Sequence, residues 1–168
     1  MSRTTVTIHP LDAEDASSVE AGRAAARPAK GLRWNIEARA AYDALMERVP
    51  PVQDVVFESD TVAGIAGLWV RPVSHRSDEA LLHLHAGWFH AGSATGYRHL
   101  VAQIAARAGA QAFVPDYRLA PEHPFPAAVD DTALSLKTLW STPLKNDLTP
   151  HVSRRTFMLA AAATGGPE

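Results

Sequence analysis

Five consecutive residues, His85-Ala86-Gly87-Trp88-Phe89, stand between an apolar run that ends at His85 and a helical stripe that opens at Tyr97. Acyl transfer passes through a tetrahedral oxyanion, which preorganised N–H donors must meet, and one such donor is worth roughly 3 kcal/mol of barrier. Small residues let the backbone approach that oxygen, so Ala86 and Gly87 are the candidate donors. His85 would brace the loop through its ring nitrogens, with Trp88 as flanking support. Taken alone, the same turn has a plain structural reading, in which Gly87 relieves a tight backbone and Trp88 and Phe89 fill the core.

A second segment bears on the first. In Asp116-Tyr117-Arg118-Leu-Ala-Pro121-Glu122-His-Pro124-Phe-Pro126-Ala-Ala128, three prolines each fix a φ angle, and Arg118 and Glu122 are expected to pair as ions. The expected role is a rigid scaffold that buttresses the first loop.

The elements that would position these loops follow from periodicity. The stretch from Asp12 to Lys30 reads as a soft helix or arm. Ala38, Ala41, Leu45 and Val49 recur at helical spacing before Pro50-Pro51. Asp54 to Glu58 and Ile65 to Val70 read as two strands in hairpin-like succession, divided by Ser59-Asp60 and a glycine-containing stretch. Ala80 to His85 reads as a buried strand. Tyr97, Val101, Ile104 and Ala108 then mark a helix face that Gly109 stops. Gln111 to Pro115 is another strand. Val129, Ala133, Leu136 and Trp140 form a last helical stripe, with Pro126 suited to its first turn and Asp130 and Asp131 placed for its dipole. Strand, helix, strand, helix after residue 80 points to parallel βαβ units, preceded by an antiparallel pair.

The two loop segments together resemble the hormone-sensitive-lipase-like branch of the α/β-hydrolases. There, His-Gly-Gly-Gly-Phe/Trp follows the third strand and Asp-Tyr-Arg-Leu-Ala-Pro-Glu-x-Pro-Phe-Pro-Ala-Ala follows the fourth. Asp116 to Ala128 matches the second signature throughout, and a looser likeness runs from Ile36 to Trp140. The resemblance implies an incomplete α/β-hydrolase fold: the first four strands with flanking helices, and N-terminal helices of the kind that cap an acyl pocket. The expected division is an arm with cap-type helices over 1–49, half of a hydrolase domain over 50–140, and a divergent or truncated tail over 141–168. The implied activity is hydrolysis of short or medium acyl esters, or of lactones, through a serine acyl-enzyme, with Ala86 and Gly87 as the oxyanion hole.

In that fold the nucleophile sits on a strand-to-helix elbow and the acid and histidine follow it. No Gly-x-Ser-x-Gly occurs before Glu168. Ala163 or Thr164 falls near the serine position, and Thr164 is the weak nucleophile candidate. The tail reads as truncated, frame-altered or degenerate, so this chain is expected to be an inactive form of such a hydrolase; the alternative function is a non-catalytic remnant that binds a small apolar ligand or a partner chain. Without a fifth strand, residues 80 to 85 would form an open edge that invites self-association. A metal site at His83, His85 and His90 lacks a nearby acidic or cysteine ligand, so none is expected. No cofactor is implied.

Composition narrows the remaining classes. At 46% hydrophobic and 20% charged, the 168 residues suffice for one globular domain. The net charge of −2 comes without a basic block, which argues against nucleic acid or anionic membrane as partner. With no cysteine, no disulfide framework exists. The N-terminus lacks the basic and apolar regions of a secretory signal, and no run is long enough to span a membrane, so a cytoplasmic location is expected. Ser153-Arg154-Arg155-Thr156-Phe157-Met158 resembles a twin-arginine export motif, but such motifs act at N-termini.

Overall fold

A computed structural model describes residues 10–27, 36–141 and 159–161. Its contacts divide the chain into Met1–Trp34 and Asn35–Glu168. In the first unit, helix α1 (Ala13–Ala26) starts where the Asp12 carboxylate accepts the Asp15 N–H at 2.8 Å, with Glu14 and Asp15 favoured by the helix dipole. Residues 11–24 are exposed throughout, as their mixed polar and alanine composition dictates.

The second unit opens with a 3-10 turn (Ile36–Ala38) that runs into helix α2 (Arg39–Met46), shorter than the stripe to Val49 suggested. Strands β1 (Val55–Val62) and β2 (Ile65–Pro72) then form an antiparallel hairpin. Ser59-Asp60, expected as a break, lies inside β1. The reversal falls instead on Ala63-Gly64, at φ 55° and 82°, because a two-residue hairpin turn with both residues left-handed matches the strand twist. Asp60 stays in the strand by accepting the Trp69 indole N–H across the ladder at 3.2 Å.

Strand β3 (Arg76–Leu84), helix α3 (Arg98–Ala108) and strand β4 (Ala110–Pro115) make the expected parallel βαβ unit. Gly109 closes α3 in the left-handed region, as its position predicted. Helix α4 (Ala127–Ser141) then leads toward a short strand, β5 (Leu159–Ala161), which pairs parallel with β3. Sheet order is β1-β2-β4-β3-β5. This fifth strand corrects the expectation of an open edge at residues 80 to 85: Leu82, His83 and Leu84 face Leu159, Ala160 and Ala161.

Two apolar layers cover the sheet. Leu68, Val70, Leu81, Ala112 and Val114 pack with Val101, Ala102 and Ala105 of α3, whereas Trp69, Leu82 and Phe113 pack with Leu139 of α4. The period-two alternation of β2 and β4 sends neighbouring residues to opposite layers, so both strands read as continuous apolar runs.

Candidate active site

From β3 the chain runs to β4 on one side and then, through α4, back across to β5 on the other. Open α/β sheets bind ligands at the carboxyl ends of the strands that flank such a reversal, here β3 and β5. Leu84 is level with Ala161, the last described residue of β5. His85 and the residues after it continue from the carboxyl end of β3.

His85 is buried and stacks on Tyr117, with centroids 4.2 Å apart and planes at 11°. The Tyr117 hydroxyl donates to the His85 carbonyl at 2.5 Å, tying the second loop to the first. Burial holds the His85 imidazole down to about 4, partly offset by the Ala86 carbonyl 3.2 Å from Nδ1 and by Asp43, so the ring is neutral at ordinary pH. The brace expected from ring hydrogen bonds is mainly a stack.

Beyond His85 the backbone turns hard. Gly87 sits at φ 135°, and its carbonyl accepts the N–H groups of His90 and Ala91, both at 2.9 Å. A Cβ there would lie 2.0 Å from the Ala91 carbonyl oxygen, so only glycine fits. Trp88 and Phe89 follow at φ 54° and 62°, a conformation that costs a non-glycine residue about 1 kcal/mol or more. The surroundings hold them there. The Trp88 ring lies 6.1 Å from Tyr42, and the Phe89 carbonyl accepts the Ala120 N–H at 2.8 Å. The Ala86 amide faces the Tyr97 hydroxyl, which is in turn hydrogen-bonded to Tyr42 at 2.8 Å. Farther along, Ser93 donates to Asp43 at 2.9 Å and accepts the Gly96 N–H.

The second loop is braced by different partners from those expected. Arg118 does not pair with Glu122. It donates through Nε and Nη2 to the buried Asp131 of α4, whose carboxylate also accepts the Arg118 N–H at 2.9 Å. Glu122 instead accepts both Nη groups of Arg39 at 2.7 Å, and this pairing holds its carboxyl down at about 2. Four residues apart in a proline-rich loop, Arg118 and Glu122 lack the helical geometry that would bring them together, and fixed elements supply better partners. Asp116 accepts the Ala94 N–H at 2.6 Å, and Pro121 and Pro126 both follow cis bonds.

Between the two loops lies a cavity of about 290 Å³. Trp88, Phe89 and His90 form one wall, and Ala120, His123, Phe125 and Val129 the other. It is mostly apolar, with two imidazoles at its edge.

Arg39, Asp43 and Asp131 are the anchoring residues that sequence reasoning missed or misread. Asp131 had been assigned to the helix dipole. Arg39 and Asp43 carry no local signal, because their partners lie about fifty residues or more away in sequence. His83 is buried beside Tyr97, with neither ring nitrogen hydrogen-bonded, and burial together with neighbouring His85 lowers it to about 4. His90 is exposed, and no three potential metal ligands gather among the described residues. Thr164 lies outside those residues. No helix among them is long and apolar enough to cross a membrane.

Comparisons with known proteins converge on this region. A family model described as alpha/beta hydrolase fold matches residues 81–166. An acetyl-hydrolase of Streptomyces hygroscopicus is 40% identical over 106 residues, which cover 60% of this chain and 33% of the relative. The crystal structure of an esterase/lipase from an uncultured bacterium superposes with a TM-score of 0.62 at 35% identity, covering 69% of this chain and 39% of that one. An esterase of the bacterial hormone-sensitive lipase family gives a TM-score of 0.61 at 34% identity, over 67% and 38% of the two chains. The chain thus spans between a third and two fifths of the length of these relatives.

Proposed function

The chain belongs to the α/β-hydrolase fold family, and from that premise we propose that its site serves hydrolysis of carboxylic esters or lactones with short to medium acyl groups. The observation that carries the reading is the turn at Gly87, a position closed to any side chain, at the carboxyl end of β3 beside the apolar cavity. Gly87 offers an amide to a developing oxyanion. Ala86 is the second candidate donor, and Tyr97 competes for its N–H. His85 and Trp88 support the loop from below and beside it. Asp116, Tyr117, Arg118, Pro121 and Glu122 form the scaffold behind it.

The nucleophile belongs after β5 in the chain, and Thr164 is the hydroxyl nearest to that strand in sequence. A hydroxyl there attacks the acyl carbon, the alcohol leaves with a proton, and water releases the acid. A second reading, binding of a small apolar ligand without turnover, draws support from the cavity walls of Trp88, Phe89, Phe125 and Val129.

Short-chain p-nitrophenyl ester hydrolysis, paired with fluorophosphonate labelling and peptide mass spectrometry, separates the two. Turnover with a label on the peptide that carries Thr164, both lost in Gly87→Pro, is the expected result. Turnover at background with no label refutes hydrolysis by this chain. Saturable quenching of tryptophan fluorescence by the ester would then favour the binding reading.

A further inference from the structure

One side chain joins the two loops. Arg39, at the start of α2, donates from Nε to the His90 carbonyl of the first loop at 2.6 Å and from Nη2 to the Ala120 carbonyl of the second at 2.8 Å. Its remaining donors grip both oxygens of Glu122. The residues it holds adjoin a second link, the Ala120 N–H to the Phe89 carbonyl. His90 and Ala120 both line the cavity. We infer that Arg39 is a positioning residue, which fixes the strained 87–91 turn against the proline loop and so sets the direction of the Gly87 amide.

The physical case rests on the shape of guanidinium. A planar fork with five donors can serve two carbonyls and a carboxylate at once, whereas an ammonium on a flexible stem serves them one at a time. Trp88 and Phe89 occupy left-handed backbone that neither prefers, so the turn relaxes unless something outside it holds the carbonyls. Arg39 comes from a different element and contacts the turn just past the strained pair. Its meaning for chemistry rests on the esterase reading; the clamp itself does not.

The test uses the whole chain with amide hydrogen exchange followed by NMR. In Arg39→Ala and Arg39→Lys, the amides of His90, Ala91 and Ala120 should exchange about tenfold faster, while Val101 in α3 and Val114 in β4 keep their protection. The charge swap Arg39→Glu with Glu122→Arg should not restore the loop, because a pair of opposite charges does not replace the two carbonyl contacts. Unchanged loop amides, a rise spread evenly over the chain in Arg39→Lys, or rescue by the swap would each overturn the inference. In the ester assay, Arg39→Lys should lower kcat and leave KM within about twofold; an unchanged kcat overturns the link from the clamp to the Gly87 amide. Absence of turnover in the unmodified chain counts against the esterase reading alone, since the exchange result decides the clamp by itself.

Discussion

Replacing Gly92 by alanine tests whether the loop after β3 is as tightly built as its geometry implies, and the molecule supplies its own control. Gly92 and Gly64 have nearly the same φ, 90° and 82°. A Cβ at Gly64 meets nothing within 4 Å, whereas at Gly92 it would lie 2.3 Å from the Ala86 carbonyl oxygen and 2.5 Å from His85 Nδ1. Gly64→Ala therefore reports the left-handed strain of an L-residue alone, about 1 kcal/mol after the entropy it removes from the unfolded chain. Gly92→Ala adds a steric conflict with backbone and a stacked ring, which raises the loss to about 3 kcal/mol. Urea unfolding of both variants measures the difference. Proton NMR of the His85 ring, displaced from Tyr117 only in Gly92→Ala, locates it. Equal destabilisation in the two variants, within about 0.5 kcal/mol, would refute the packing argument and with it the claim that the loop has one conformation.

Two further outcomes follow from the same region. His83 and His85 both titrate near 4 when folded and near 6.5 when unfolded, so the unfolded chain binds more protons between those values. The stability they confer is complete above pH 6.5 and is lost as pH falls toward 4, by up to about 3 kcal/mol for either site. His83→Leu should flatten that decline without loss at pH 7, because its ring nitrogens make no hydrogen bond; urea unfolding at stepped pH with an unchanged slope would contradict this. Asp131→Asn keeps one acceptor for the Arg118 backbone but removes the charged fork at a buried position, and should cost about 1 to 2 kcal/mol in thermal or urea unfolding. No measurable change would mean that α4 and its hydrophobic contacts, not this pair, hold the second loop.

Local patterns in the sequence reach far into this protein. Continuous apolar runs and helical stripes place β2, β4, α3 and α4, and Gly109 ends α3 as its residue type requires, because these features depend on neighbours within a turn or a strand. The two loop segments are legible for the same reason: proline, glycine and small residues restrict the backbone wherever they stand. Positions decided by distant partners are not legible. The strand order that sets β5 against β3 follows from a crossover that no local pattern encodes. Arg118 and Glu122 look like a pair in sequence, yet each finds its partner on a helix brought up by folding. The left-handed turn at Trp88 and Phe89 contradicts local preference outright, and contacts from distant residues, Arg39, Tyr42 and Ala120, brace it. The sequence by itself thus marked Ala86 and Gly87 as candidate oxyanion donors. Tertiary structure decided what braces their loop, because an arginine about fifty residues upstream finds its partners in two loops at once.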